Sequence, residues 1–448
     1  MNAIEVRAAL ALALVYVLRM LGLFMVMPVL ALSAMEYPDY SPLMVGLAIG
    51  GYGLTQATLQ IPMGMLSDKW GRKPVILLGL SVFALGSFIA AQADSMVWMV
   101  VGRILQGAGA IAGAIMALAT DVSRESQRAK VMAIIGIAIG FSFYIAVLLG
   151  PILAEQWGLA GIFAITGILA LLCMPLVQWA VPSVKGLASG DTLPDIALVG
   201  ELILSSQLWR LNVSVMLLHM MITLLFVQLP VTLMHFNMSL ESHWMLYLPV
   251  LAASVAGLVV MMAMARGRVP KSLLNSAIVM MAIAFALLAT QGETRWVVVT
   301  AVILFFTGFN YLEASFPALV SSIAPAGRKG TAMGIYASFQ FFGAFLGGLL
   351  SGLVTDLWSA DRAYLLGAAG ASVWLILFMG FREVARIKRI QMNASFSEQQ
   401  EPELREKLCV LPGVQDTEFS SQNNTIYLKV TAEFDQRLAR NVVEEIHP

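Results

Sequence analysis

Twelve long apolar runs separated by short polar breaks leave this chain few ways to fold. They lie near 8–35, 42–66, 73–93, 96–120, 129–154, 160–181, 211–235, 242–265, 272–291, 295–323, 330–356 and 361–381. Each is long enough for a helical crossing of about 20 residues, and each is continuous, whereas a barrel strand would be ~10 residues of alternating polarity. Charge is sparse among them: residues 382–448 hold 20 of the 54 charged residues, leaving 34 for the first 381. A soluble enzyme built on that stretch would expose far more apolar surface than water tolerates. The chain is therefore read as an all-α membrane protein of twelve transmembrane helices in a lipid bilayer, ending in a small soluble tail.

The 27 Lys and Arg balance 27 Asp and Glu, so no basic field points to nucleic acid. Cys173 in an apolar run and Cys409 in the tail make no disulfide framework and no metal site. The first run could pass for a signal peptide ending near Ala34. It is too long for one and carries Arg19 in its middle, so it is read as a retained helix.

An even number of crossings puts both chain ends on one side. That side collects Arg7, Lys69, Arg72, Lys73, Arg124, Arg128, Lys130, Lys185, Arg210, Arg266, Arg268, Lys271, Arg328 and Lys329. The other has only Arg295 and Arg362, with Glu36, Asp39, Asp94, Glu155, Glu241, Glu293, Asp356 and Asp361. Basic residues stay in the cytoplasm, so both termini are expected there, with the body in the inner (plasma) membrane. The longest break, 182–209, is rich in Pro, Gly and Ser. It divides the chain into a first bundle (1–181), a cytoplasmic linker (182–209), a second bundle (210–381) and a tail (382–448). The bundles echo one another at a spacing near 200: Phe24-Met-Val-Met-Pro28-Val against Phe226-Val-Gln-Leu-Pro230-Val, and more loosely Arg128-Ala-Lys130-Val-Met132 against Arg328-Lys329-Gly-Thr-Ala-Met333.

Between the second and third runs stands Gly64-Met-Leu-Ser-Asp68-Lys-Trp-Gly71-Arg72-Lys73. Gly64 allows close helix approach, Asp68 is an anion at a helix end, Gly71 suits a tight turn, and Arg72 and Lys73 anchor the loop on the basic side. This segment resembles the signature loop of the major facilitator superfamily, G-x-L-a-D-[RK]-x-G-R-[KR], in its expected place. The resemblance implies two six-helix pseudo-repeats working by alternating access, the major facilitator fold. It also implies that Asp68 docks at the start of the eleventh helix, Gly330–Thr331, while Arg72 pairs with Asp121 at the end of the fourth. Together these would form a cytoplasmic latch that holds the outward-open state. Arg103-Ile-Leu-Gln106-Gly107-Ala-Gly109-Ala110 resembles the R-x-x-Q-G-x-G-A segment of proton-coupled members, with Arg103 and Gln106 on one helix face. The drug:proton antiporter group carries G-x-x-x-G-P-x-x-G-G in its fifth helix. Here Gly150-Pro151 is kept as an expected helix bend, but Ala146 and Ala154-Glu155 replace the other glycines.

Four ionisable residues lie well inside apolar runs: Arg19, Arg103, His219 and Glu313. A charged side chain facing lipid costs at least ~2.5–3.5 kcal/mol, so each is expected to face the central cavity or a partner. Glu313 shares a face with Thr307, Asn310 and Pro317, and Tyr52, Gln56 and Gln60 make a polar stripe on the second run. Glu313 is the expected carrier of the coupled proton, because a carboxylate among apolar helices can neutralise itself by taking one up. Its bland alternative is a static pair with Arg19. His219 is a second titratable candidate, and Gln106 joins the polar stripes as a cavity residue.

No phosphate-binding loop is present, so energy is expected from an ion gradient, with no cofactor. Gly343, Gly347, Gly348 and Gly352 are read as close-packing glycines and the 27 methionines as pliable apolar lining. In the tail, helical spacing over 404–411 and 433–446 and strand patterns over 387–392, 414–419 and 425–430, with a turn at Gln422-Asn423-Asn424, give a β-α-β-β-α order. This resembles a small α+β ferredoxin-like domain, as some transporters of the superfamily carry at their C-terminus. It lacks the C-x-x-C of metal-carrying versions and is expected to self-associate or bind a regulatory ligand, if it is not a passive appendage. The function expected is export of small apolar or amphipathic compounds, whose identity stays open, in exchange for protons. Proton-symport uptake and a transporter-derived sensor that moves nothing are the alternatives.

Overall fold

The computed structural model describes residues 1–182, 196–265, 269–324, 329–382, 388–393, 400–420, 425–430 and 434–446. Lys185, Arg266, Arg268, Arg328 and the expected turn at 422–424 lie outside the described residues. The first half runs through α1 (Ala3–Met25), α2 (Met27–Ser33), α3 (Pro42–Trp70), α4 (Arg72–Ala91), α5 (Met96–Ala108), α6 (Ala112–Asp121) and α7 (Glu125–Pro175). The second comprises α8 (Ile196–Leu204), α9 (Ser206–Met234), α10 (Trp244–Ala265), α11 (Lys271–Gln291), α12 (Arg295–Ile323), α13 (Lys329–Leu357) and α14 (Ala360–Phe378).

Among the described residues, ten segments are long and apolar enough to cross a bilayer. One of them, Lys130–Ala180, has 51 residues. At 1.5 Å per residue a straight helix of that length would be about 75 Å, far beyond a ~30 Å hydrocarbon core. It turns back at Gly158, whose φ of 63° and ψ of −173° suit glycine alone. The break at Gly158 falls in the expected gap between the fifth run (129–154) and the sixth (160–181), and Pro151 lies inside the helix before it. Gly150 lets the backbone of Met25, where α1 gives way to α2, come close. Two boundaries differ from expectation. The fourth run is split into α5 and α6 around Gly109–Ile111, and the 182–209 interval contains α8.

Local chemistry accounts for several ends. Asn2 and Glu5 form a reciprocal capping box on α1. Ser41 caps α3 through the Met44 amide at 3.2 Å. Asp39, from the preceding loop, accepts hydrogen bonds from the first two amides of α5, Met96 at 2.7 Å and Val97 at 3.2 Å. These donors hold its carboxyl below the usual carboxylate range.

The two ends of the body are packed differently. We call the end bearing residues 1–5 and the 68–73 loop the N-face, and the opposite end the far face. One hydrophobic cluster joins the far-face parts of the first half (Met25–Ala34, Val45–Ile49) to the second half through residues such as Phe226, Phe306 and Tyr336. The other buried cluster holds first-half residues only, among them Leu12, Ile76, Ile115 and Val177 towards the N-face. The far-face seam is made by glycine. A Cβ on Gly46 would collide with Gly348, one on Gly50 would lie 2.8 Å from the Phe345 carbonyl, and one on Gly348 would meet Gly50. Gly343 and Gly347, on the same helix, admit the α9 backbone at Met216 and Met220. Thus α3 and α13 are clasped at the far face.

The tail contains β1 (Lys388–Asn393), α15 (Glu401–Cys409), β2 (Val414–Ser420), β3 (Thr425–Val430) and α16 (Gln436–Ile446). The sheet order is β1-β3-β2 with both pairs antiparallel, Ile390 opposite Leu428 and Phe419 opposite Ile426. Its core is Met392, Leu404, Leu408, Ile426, Leu428, Val430 and Ala439.

Candidate functional site

Three polar groups interrupt the apolar body, one at the N-face and one in the centre of each half. At the N-face, a single residue, Gly71 (φ 94°, ψ 153°), joins α3 to α4. This tight link sets Asp68 in the last turn of α3 beside Arg72 at the start of α4, and the two form an ion pair. Arg72 also donates to Asp121 Oδ2 at the end of α6 (3.1 Å) and to Ser67 Oγ (2.7 Å), which in turn donates to the Gly64 carbonyl (2.6 Å). The side chains of Arg72, Asp68 and Asp121 are 10%, 19% and 12% exposed. Stranding one partner of an enclosed pair costs about 3–5 kcal/mol, against ~0–1 kcal/mol for an exposed one. Lys73 donates to the Gln178 and Val181 carbonyls at 3.1 and 2.6 Å, closing the end of the sixth crossing. Two carboxylates thus share one guanidinium. The antiparallel register of α3 on α13 pairs Gly46 with Gly348, Gly53 with Phe341 and Ile61 with Gly334. The same register carried two turns further runs past the described start of α13, where Gly330 is half-buried and Thr331 is buried; the ion pair described for Asp68 is the one with Arg72.

In the centre of the first half, Arg19 and Arg103 are each 1% exposed. One Arg19 nitrogen, Nη2, reaches Tyr52 Oη (2.9 Å), Gln56 Oε1 (3.2 Å) and the Gly109 carbonyl (3.4 Å), which the α5–α6 break leaves free. Arg103 donates to the Ala48 carbonyl (2.9 Å) and to Gln106 Oε1 (2.8 Å) and lies over the Tyr52 ring. Gln106 donates on to Ser87, and Gln56 to Gln60. No described carboxylate pairs with either guanidinium.

In the centre of the second half, His219 of α9, Glu313 of α12 and Gln340 of α13 converge. Gln340 Nε2 is 2.7 Å from His219 Nε2 and 3.4 Å from Glu313 Oε1. His219 Nδ1 lies 3.2 Å from the Val215 carbonyl, which can only accept. In the neutral ring Nδ1 therefore carries the hydrogen, and Nε2 accepts from Gln340. Glu313 Oε2 is buried without a hydrogen bond, 3.8 Å from His219 Nε2, a distance that becomes an ion pair when the ring is protonated. Aromatic rings bridge the halves nearby: Phe143 of α7 lies 6.1 Å from Phe226 and 6.2 Å from Phe306, and Tyr52 lies 6.3 Å from Phe341. Tyr144 bonds to Asn310 and Ser254, which are 3.4 Å apart.

The expected site residues thus fall into separate groups. Arg72 pairs with Asp121, as the resemblance implies, and the ion pair described for Asp68 is with Arg72. These ion pairs join α3, α4 and α6 within the first half. Glu313 does not pair with Arg19: each has other partners, in opposite halves. Tyr52, Gln56, Gln60 and Gln106 are buried around the two guanidiniums in place of lining an open cavity, because α3 is clasped to α13. Gln340, Ser254, Tyr144 and Ser87 were not anticipated. The signal available was a lone polar side chain inside an apolar run, which says nothing of its partner. Glu5, which carries no motif in the sequence, accepts from Arg124 Nε at 2.8 Å at the N-face.

Residues 12–348 match the Major Facilitator Superfamily. The inner membrane transport protein YajR of Escherichia coli (strain K12) is 37% identical over 97% of this chain and 96% of its own length. The multidrug resistance protein MdtH of Aeromonas hydrophila subsp. hydrophila is 26% identical over 85% of this chain and 97% of its own. Among solved structures, a bacterial homologue of the human lysosomal transporter Spinster, in an inward-facing and occupied conformation, superposes with a TM-score of 0.69. It is 15% identical and covers 85% of this chain and 97% of that one, a likeness of fold alone.

Proposed function

Because the chain belongs to the major facilitator superfamily, we propose that it is a proton-coupled secondary active transporter, exporting small amphipathic compounds by alternating access. The observation that carries this reading is the His219–Gln340–Glu313 group. It sets an acid without a fixed counter-cation beside an imidazole, in the second half and close to the seam. Such a carboxylate changes its charge at low cost, and the change is felt by both α12 and α13. In this reading Glu313 takes the proton, His219 shares it, and Gln340 holds the two in register.

Ten apolar segments, one of them doubled at Gly158, together with the 29-residue α3, support twelve crossings. The basic residues at the N-face support placing that face in the cytoplasm of an inner membrane. The far-face clasp then makes this an outward-closed state. Asp68 against the start of α13 is the contact that differs between states. It is worth ~0.3–1 kcal/mol, up to ~2 when partly buried, which biases an equilibrium without locking it. The tail, with its β1-β3-β2 order, supports a ferredoxin-like domain. Everted membrane vesicles test the direction: acidified inside, they accumulate substrate if the protein is an antiporter. Loss of substrate from such vesicles would identify uptake by symport, and ligand binding without movement a sensor; either overturns the proposal.

A further inference from the structure

Arg19 carries a positive charge into the centre of the first half, and Arg103 carries a second. Both are shut from solvent, and Tyr52 lies between them, bonded to one and under the other. Burying a guanidinium is costly unless a counter-charge and hydrogen bonds meet it. Arg103 has found two acceptors. Arg19 spends all three of its hydrogen bonds on Nη2, and its Nε and Nη1 are buried with no partner. Tyr16, Phe83 and Cys173, which lie near it, supply no anion, and no described carboxylate pairs with it. Three N–H donors on a fixed planar fork are thus held desolvated and unused.

The neighbouring backbone has the same polarity. The helix broken at Gly109–Ile111 begins again as α6, ten residues long, and Arg19 reaches into that break through the Gly109 carbonyl. A restarted helix presents free amides and the positive end of its dipole. Midway across a membrane, discontinuous helices of this kind seat charged groups of a substrate. The way in is through α3. Tyr52 and Gln56 cover Arg19, and Tyr52 is itself covered by Phe341 of the other half. Parting α3 from α13 uncovers the stripe.

We infer that Arg19, backed by Arg103 and the start of α6, is the receptor for the oxyanion of the transported compound, so that the substrate class is small organic acids with an apolar body. This rests on the transporter reading above for the word substrate, but the site itself is a matter of equilibrium binding. The aromatic seam of Phe24, Phe143, Phe226 and Phe306 offers the apolar body its contact.

The test is thermal unfolding of the purified full chain in detergent with benzoate and phenylphosphonate, against the uncharged isosteres benzamide and benzyl alcohol. The acids are expected to raise Tm in a saturable way and the neutral compounds not to. Arg19→Gln should abolish the rise. It should also leave the ligand-free Tm unchanged or higher, because it removes an unpaired buried charge; a merely structural arginine would lower it. Arg19→Lys, which keeps the charge and loses the fork, should bind the acids about tenfold more weakly, and it decides the matter if Arg19→Gln does not fold. No rise with either acid, equal rises with the neutral isosteres, or an undiminished rise in the Arg19 variants overturns the inference. Binding that holds while proton-driven flux is absent keeps this site and removes the transporter reading.

Discussion

The two halves share a helical plan and bury opposite kinds of charge. At its centre the first encloses two guanidiniums that no described carboxylate pairs with, whereas the centre of the second holds a partly exposed carboxylate whose basic neighbour among the described residues is an imidazole. Guanidinium keeps its charge at any pH the protein meets, and a Glu–His pair does not. The first half is therefore suited to hold a fixed complement to an anion. The second is suited to change its charge within a cycle. Division of labour across one seam is what the geometry teaches.

Four measurements would break or sharpen that contrast. Glu313→Gln removes the carboxylate that faces His219 and Gln340 in the second half's centre. It should cut proton-driven transport by about 10²-fold or more, as loss of a proton-transferring group does; transport and a pH profile left intact would refute the assignment. Gly348→Leu drives a side chain into the α3 backbone at Gly46 and Gly50 and so attacks the seam between the halves. Overpacking of this kind costs about 1–3 kcal/mol, and Val45→Cys, buried beside the far-face seam, should label faster. Asp68→Asn should act in the opposite sense, slowing that labelling by a factor of about 2–30, the equivalent of ~0.3–2 kcal/mol. Unchanged labelling would show that the N-face carboxylate carries no bias.

Asp39→Asn is expected to have the smallest effect and tests a pH sign. The Asp39 carboxyl titrates lower when it caps α5 than in an unfolded chain. Its contribution is therefore complete above the ordinary carboxylate range and fades as pH falls through the lowered value. Wild type and variant should differ slightly in Tm at neutral pH and converge in acid; a difference that grows in acid would contradict the cap.

Much of the fold was legible because membrane crossing imposes length, continuity and low charge on a sequence. The tail was legible because its strands alternate and its helices end at Pro412-Gly413 and similar signals. The Arg72–Asp121 pair was legible only through the resemblance of the 64–73 segment to a known motif, while the Asp68–Arg72 pair follows from the single-residue link at Gly71. The central groups were not legible. Arg19 and Glu313 were identifiable as costly residues, but whom each would meet depends on helix rotation and tilt, which local pattern does not encode. The break at Gly109–Ile111 was hidden for a similar reason: Gly107-Ala108-Gly109-Ala110 tolerates helix as well as interruption. Only the packing of Gly109 against Gly79 and Phe83 decides.

The one-residue link at Gly71 has a mechanical meaning. With no slack between them, α3 and α4 act as a bell-crank: tilt the arm that meets the opposing bundle, and the torque reaches the other arm, then Val181 through Lys73. Rigid gearing of this sort spares the protein any long-range relay. Lengthening the joint by even a few flexible residues would leave both arms folded yet uncouple the stroke from the load.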